Sequence, residues 1–279
     1  METPVLASVV VYKPDPERLK ENIASVLPQV SRVLLVVNED RDYEELLLPL
    51  AGDKLCVIKN GKNAGIAYAL NRAMYYAHQN GFEWVLTLDQ DSVCPPDLVE
   101  KLLPHTNKTD VAMVAPRIQD RNLEALAPAE EPWEYIKICI TSGTLTRVSA
   151  WRKAGGFDNR LFIDYVDYDL CARLFLKGFR IVQDNTVCLL HEVGKKKVLR
   201  IGKNHRYELY NHAPARCYYY VRNRGYYIKK YPEFVDVEKE KKLLRDRVLV
   251  MLLFERKRVR KAIAVLKGIA DQKKLLDRA

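Results

Sequence analysis

The sequence predicts an α/β protein: a mainly parallel sheet with helices on both faces, followed by a basic, mostly helical extension. Three observations lead there. Short apolar, β-branched runs alternate with helix-period segments through the first 190 residues, the pattern of a parallel sheet covered on both sides. After Gly194 that alternation stops, and clustered Lys, Arg and Tyr take over. Over the 279 residues, 48% are hydrophobic and 29% charged, which excludes a mainly disordered, a collagen-like and a multi-span membrane chain.

The elements follow in order. Leu6–Tyr12 is an apolar run expected as a buried strand. Asp15-Pro16 opens a helix with Asp as N-cap and Pro at N1, whose apolar face is Leu19, Ile23, Val26 and Leu27. Val33–Val37 and the weaker Leu55–Ile58 are further strands. Asn63 is expected to cap a helix with inner face Ile66, Leu70, Ala73, Met74 and Ala77, closed by Gly81. Trp84–Leu88 is a strand ending at Asp89, and Pro95-Pro96-Asp97 opens another helix. Val111–Ala115 and Ile138–Leu145 are expected strands, Val148–Ala154 a short helix, 165–177 a helix and Arg180–Leu190 extended. Val235–Leu276 is expected as one or two basic amphipathic helices. Right-handed crossovers between parallel strands place a ligand site at the strands' carboxyl ends. Two regions are expected: a sheet domain over 1–200 and a basic, mostly helical region over 201–279.

Charge divides the chain in a similar way. The whole carries a net +10, yet residues 195–279 hold 25 Lys and Arg against 9 Asp and Glu. The remainder is therefore acidic, and the tail is suited to phosphates, nucleic acid or an anionic membrane. The longest apolar run there, Val248–Phe254, is far short of the ~20 residues that span a bilayer. Met1-Glu2-Thr3-Pro4 lacks the basic start of a secretory signal. The six cysteines form no C-x-x-C pair, so reduced thiols in a cytoplasmic protein are expected.

Four constellations carry chemistry. Asp89-Gln90-Asp91 puts two carboxylates at a strand end, where both can approach a divalent cation. A bare D-x-D is more often a polar turn; its place at the carboxyl end of a buried strand favours function. Asn63-Ala64-Gly65 opens a helix whose free N–H groups suit an anion, although taken alone a capped amphipathic helix with an Ala-rich packing face explains it better. Asp164, Asp167 and Arg173 surround a helix start; Asp164 can cap it, and one of the carboxylates can act as general base for a hydroxyl nucleophile. His191 follows an apolar run and is either a core histidine or a nitrogen ligand for the cation.

In this order the pieces resemble family 2 glycosyltransferases with the GT-A fold, a Rossmann-like sheet, and within them the bacterial rhamnosyltransferase-like branch. The carriers are VVVYKP at 9–14, NAGIAYALN at 63–71, WVLTLDQDS at 84–92, ITSGTL at 140–145, GGFDNRLFIDYVDYDLCARLFLKG at 155–178 and LLHEVG at 189–194. The resemblance covers roughly residues 5–195. It implies that Tyr12, Asn38, Asn63, Gly65, Asp89 and Gln90 line the nucleotide donor, and that Asp91 and His191 hold Mg²⁺ or Mn²⁺. It implies Asp167 as catalytic base, with Val166 in place of the family's Glu, and Ser142, Gly143, Asp164 and Arg173 around sugar and acceptor. One departure stands out. The family's Asp after the second strand is Val37 here, followed by Asn38, Glu39 and Asp40.

The implied activity is that of an inverting, metal-dependent hexosyltransferase. It would move a sugar, rhamnose from dTDP-rhamnose first, from a nucleotide diphosphate to a hydroxyl of a glycan or lipid-linked glycan in cell-surface polysaccharide synthesis. Galactofuranose or glucose donors are the alternatives within the family. A basic nucleic-acid-binding protein is the alternative from another class, but it leaves the acidic constellations unexplained; nucleic acid is not an expected partner. The basic tail is expected to contact either an anionic membrane, at the inner face of the cell membrane, or a second copy in a homodimer.

Overall fold

The computed structural model describes residues 4–120, 129–191, 197–201 and 205–277, without the side chains of residues 120, 191, 197, 199–201 and 205–207. The chain forms two units, 1–159 with 166–192, and 160–165 with 193–279. The boundary thus lies nearer 193 than 200, and the short segment 160–165 joins the second unit out of linear order.

In the first unit the strands are β1 (Val5–Val11), β2 (Arg32–Val37), β3 (Leu55–Lys59), β4 (Trp84–Asp89), β5 (Val111–Asp120), β6 (Trp133–Ile136), β7 (Thr144–Arg147) and β8 (Arg180–His191). The helices are α1 (Pro16–Val26), α2 (Glu44–Ala51), α3 (Ile66–Gln79), α4 (Leu98–Leu102), α5 (Val148–Lys153) and α6 (Val166–Leu176). The eight strands form one sheet in the order β3-β2-β1-β4-β7-β5-β8-β6. Pairs β2–β3, β1–β2, β1–β4 and β5–β8 are parallel. β7 runs antiparallel to both β4 and β5, and β6 antiparallel to β8.

Every residue of β1 is buried. Val5, Ala7, Val9 and Val11 belong to a core cluster with Leu19, Ile23 and Val26 of α1 and Leu98 and Leu102 of α4. The intervening residues point to the other face, because strand side chains alternate. There α3, which contacts β1, β2 and β4, buries Ala67, Leu70, Ala73, Met74 and Ala77 outside that cluster. Cover on both faces is why these strands are apolar without interruption.

Local chemistry sets the boundaries. Asp15 caps α1 as its side chain accepts from Arg18 N at 3.0 Å, with Pro16 at the first position. Asn63, expected as the cap of α3, is not: the N-cap is Gly65, at φ +89°, and Asn63 Oδ1 instead accepts from Gly65 N at 3.0 Å. The expected strand over 138–145 is also corrected, since only Thr144–Arg147 is strand. Before it the chain turns, with Thr144 N donating to Thr141 O at 3.1 Å and Thr144 Oγ1 to Ile140 O at 2.7 Å. A hydroxyl that bonds its own local backbone competes with a sheet ladder. The edge strand β6, exposed over Trp133–Tyr135, has no counterpart in the sequence reading.

The second unit holds a hairpin of β9 (Lys197–Ile201) and β10 (His205–Leu209), then α7 (Pro214–Lys230), α8 (Val237–Leu253) and α9 (Arg258–Leu276). The hairpin was not expected in a helical extension. α7 and α9 approach closely, because a Cβ on Gly225 would stand 2.2 Å from the Gln272 side chain. The break between α8 and α9 is fixed by Glu255, a fully buried side chain. It binds Lys261, Arg247 Nη2 at 2.7 Å and Tyr210 N at 3.2 Å. Burial alone would raise its carboxyl, but the hydrogen bond from Lys261 and the charge of Arg247 hold it below the usual value.

Candidate active site at the strand ends

The parallel strands β2, β1 and β4 deliver their carboxyl ends side by side. At the end of β4, Asp89, Gln90 and Asp91 are half-buried. Gln90 Oε1 accepts from Tyr12 N at 2.8 Å, tying the end of β1 to this turn, while the Tyr12 ring stays 41% exposed. The turn is also held from below by Asn22, whose Nδ2 donates to Asp89 O at 2.9 Å and to Ser92 O at 2.5 Å. Asn22 was missed in the sequence. Its signal was a polar side chain three residues after Leu19 on the apolar stripe of α1.

Asn38 at the end of β2 is buried and spent within the protein. Its Oδ1 accepts from Asn60 Nδ2 at 3.1 Å and Ala64 N at 3.0 Å; its Nδ2 donates to Asn63 Oδ1 at 3.2 Å and Gly65 O at 3.3 Å. Its hydrogen-bonding capacity is used to pin the 60–65 loop. Asn63 is exposed and Gly65 buried beside it. Glu39, also buried, accepts from Lys13 N and from Tyr43 OH at 2.9 Å, so of the three residues after Val37 only Asp40 is exposed.

The segment before β7 connects the end of β4 to the start of α6. Ser142, 1% exposed, accepts from Asp89 N at 3.1 Å through Oγ, which also pairs with Ser92 Oγ at 2.8 Å. Gly143 donates to Thr87 O at 2.8 Å. Its φ of +77° and the absence of a side chain are both needed, since a Cβ would lie 2.6 Å from Leu189 Cδ2. Ser142 and Gly143, expected around the sugar, thus act as buried supports for Asp89. At the other end of the segment, Cys139 accepts at its carbonyl from Cys171 Sγ of α6 at 3.7 Å. The Cys139 thiol is pushed well up, by its contact with the Cys171 thiol, by burial and by the charge of Asp167. Asp167 sits in the first turn of α6, half-buried, and its Oδ1 accepts from Tyr168 N at 3.1 Å. One short segment therefore touches both the Asp89 turn and the neighbourhood of Asp167.

Arg173 and Asp164 both make ion pairs within the protein. Arg173 Nε and Nη2 bind Asp169 Oδ2 at 2.8 and 2.6 Å, and its Nη1 binds Ala154 O and Gly156 O, each at 2.5 Å. A guanidinium so engaged closes the C-terminal end of α5 and has no fork left for an acceptor. Asp164 lies in the second unit at φ +63°, where its Oδ1 accepts from Arg216 Nη2 at 3.1 Å. Its Oδ2 is buried with no hydrogen-bond partner among the described residues. His191 ends β8, but its side chain lies outside the described residues.

The donor set fits a shared cation. No group of three or more His, Cys, Asp or Glu suited to a metal occurs among the described residues, which leave out the His191 side chain. Mg²⁺ and similar hard ions are commonly held by one or two carboxylates and complete their shell with phosphate oxygens and water. Asp89 and Asp91, two residues apart at one strand end, match that pattern.

Fold and site together define a GT-A type glycosyltransferase. The glycosyl transferase family 2 profile matches residues 8–150, just over half the chain, and the chain belongs to this family. The dTDP-rhamnosyl transferase RfbF of Shigella flexneri is 27% identical over 248 residues, 82% of this chain and 81% of that protein. Among solved structures, S. aureus TarS 1–349 in complex with UDP-GlcNAc superposes with a TM-score of 0.62 at 13% identity, covering 96% of this chain and 80% of that one. GalNAc-T7 with UDP, GalNAc and Mn²⁺ gives 0.60 at 13% identity, covering 88% and 54%. At such identities the structural likeness speaks for the fold alone.

Proposed function

We propose that this glycosyltransferase moves rhamnose from dTDP-rhamnose to a hydroxyl of a glycan or lipid-linked glycan, with inversion at the anomeric carbon. The observation that supports the catalytic reading is the 139–144 segment, which bonds the Asp89 turn at Ser142 and, at Cys139, bonds Cys171 of α6, the helix that carries Asp167 in its first turn. Donor identity rests on the similarity to a dTDP-rhamnosyl transferase. Asp167 accepts the proton of the acceptor hydroxyl as its oxygen bonds to the anomeric carbon. The bond from that carbon to the diphosphate oxygen breaks on the opposite face. One carboxylate suffices, because the leaving group is already an anion of low basicity. Asp91 and His191, with Asp89 beside them at the end of β4, would hold Mg²⁺ or Mn²⁺, whose chemistry is to neutralise charge on the departing diphosphate. Tyr12 and Gln90 frame the nucleotide end of the site.

The test pairs binding with turnover. A panel of nucleotide sugars is screened by thermal shift with and without Mg²⁺ or Mn²⁺, since a ligand of the folded state raises Tm by mass action. dTDP-rhamnose is expected to give the largest metal-dependent rise. Asp167→Asn is expected to keep that rise and to lower turnover about 10²–10⁴-fold, the usual contribution of a general base. A larger rise with a UDP-sugar overturns the donor, and an active Asp167→Asn enzyme overturns the base.

A further inference from the structure

α9 is amphipathic in an unusual sense. Its inner face, Lys261, Val265, Gly268, Gln272 and Leu275, is buried and packs on α7 within the second unit. Gly268 lets the backbones meet, since a Cβ there would stand 2.9 Å from Tyr218 O. The opposite face is also apolar. Val259, Ile263, Leu266 and Ile269 are 75%, 62%, 67% and 51% exposed. Steps of four, three and three residues keep them in one row along the helix. Four branched aliphatic side chains in contiguous exposure are not the scattered apolar residues of an ordinary surface.

Charge indicates what covers this row. Arg258, Arg260, Lys267, Lys273 and Lys274 of α9 are all exposed. Asp271 is the only acidic residue of the helix, and it is already bound by Lys274 Nζ at 2.6 Å and Tyr218 OH at 2.9 Å. By helical angle, Arg260 and Lys267 border one side of the row and Arg258 the other. An aliphatic strip bordered by long cationic side chains matches the boundary between acyl chains and anionic headgroups, where Lys and Arg stems lie along the apolar zone and their charges reach phosphate. Pairing α9 with its own copy would set like charges side by side. Single-stranded nucleic acid calls for exposed aromatic rings to stack on bases, and this helix has no aromatic residue. No helix among the described residues is long and apolar enough to cross a membrane, so the contact would be one of surface insertion.

We infer that the Val259–Ile269 face of α9 docks on an anionic lipid surface, its aliphatic row entering the headgroup boundary and its Arg and Lys border binding lipid phosphates. This surface is independent of the donor and of the Asp167 chemistry.

The experiment is vesicle flotation of the full chain, with phosphatidylglycerol–phosphatidylcholine vesicles against pure phosphatidylcholine, at low and high salt. Flotation is expected with the anionic vesicles only, weakening with salt. Ile263→Asp/Leu266→Asp is expected to lower the vesicle partition coefficient at least tenfold, and Arg260→Glu/Lys267→Glu at least fivefold for each charge. Both positions of each pair are exposed, so Tm should be unchanged, which separates lost docking from lost folding. In Ile263→Trp, fluorescence quenched by brominated acyl chains would place the row inside the boundary. Absence of flotation, or flotation unchanged in the Asp double variant, overturns the inference. So does a dimer in sedimentation that the Asp double variant converts to monomer, because a second copy would then cover the face.

Discussion

The hydroxyl of Ser142 accepts the backbone N–H of Asp89 at 3.1 Å, and both groups sit where β4 gives way to the acidic turn. The bond joins two segments 53 residues apart. It fixes the backbone from which the Asp89 carboxylate projects. Ser142→Ala removes the acceptor from Asp89 N and the partner from Ser92 Oγ. A buried polar group left without its partner costs about 1–3 kcal/mol. The expected outcome is a lower Tm together with a raised KM for the nucleotide sugar, read by calorimetry and steady-state kinetics on the same preparation.

Gly143→Ala tests the neighbouring turn. The new Cβ would meet Leu189 Cδ2 at 2.6 Å and Pro116 Cγ at 3.2 Å, at a φ of +77°. Left-handed backbone costs an L-residue about 1–2 kcal/mol, and overpacking typically adds about 1–3 kcal/mol. Denaturant melts should show a loss within the sum of those ranges. A variant as stable as the parent would mean that the 139–144 segment gives way easily and is not the rigid link described above.

In the second unit Asn223 is a buried polar side chain whose truncation is expected to be costly. Its Nδ2, fully buried, donates to Leu161 O, Ile163 O and Asp164 O at 2.8, 2.7 and 2.9 Å. Phe162, Asp164 and Tyr165 in that loop all have positive φ, +64°, +63° and +66°. Such conformations cost about 1–3 kcal/mol each and persist only where the surroundings enforce them. Asn223→Ala should lose about 2–4 kcal/mol in urea unfolding, since several carbonyls lose their donor at once. It should also make the 160–165 amides exchange faster in hydrogen–deuterium exchange than they do in the parent.

His212 supplies a pH dependence with a definite sign. Burial first, and then the charge of Arg216, lowers its pKa from 6.5 to about 4. A folded-state pKa below the unfolded one means that the unfolded chain takes up the proton first. The stability that neutral His212 contributes is complete above pH 6.5 and is lost as pH falls from there to about 4. Thermal melts of His212→Gln and of the parent should therefore converge across that interval as the parent loses its advantage. Curves that stay parallel would show that His212 does not titrate there.

Much of the first unit was legible. Apolar runs buried on both faces gave β1, β2 and β4, the weaker run at 55–58 gave the half-buried edge strand β3, and the Asp15-Pro16 pair gave the start of α1. The place of Asp89 and Asp91 at the end of β4 was legible for the same reason: a strand that ends in carboxylates announces where its end lies. The partners of Arg173 were not legible, because Ala154 O and Gly156 O lie 17 to 19 residues away. Asn22 and Asn71 held the better signal. Each is an amide on an apolar helix stripe, and each proves to be a buried tie, Asn71 to Phe157 and Trp151.

What the sequence determined by itself was local: hydrophobic period, capping chemistry and the order of acidic motifs, all set by neighbours within a few residues. Tertiary structure alone decided which side chains were consumed. Asn38, Ser142 and Arg173 are chemically able to bind a ligand, yet each spends its hydrogen bonds on backbone or side chains from distant parts of the chain. It also decided that the outer face of α9 stays open while the inner one closes on α7. The reason is physical: a polar group's availability depends on where every competing donor and acceptor lies, and folding alone fixes those positions.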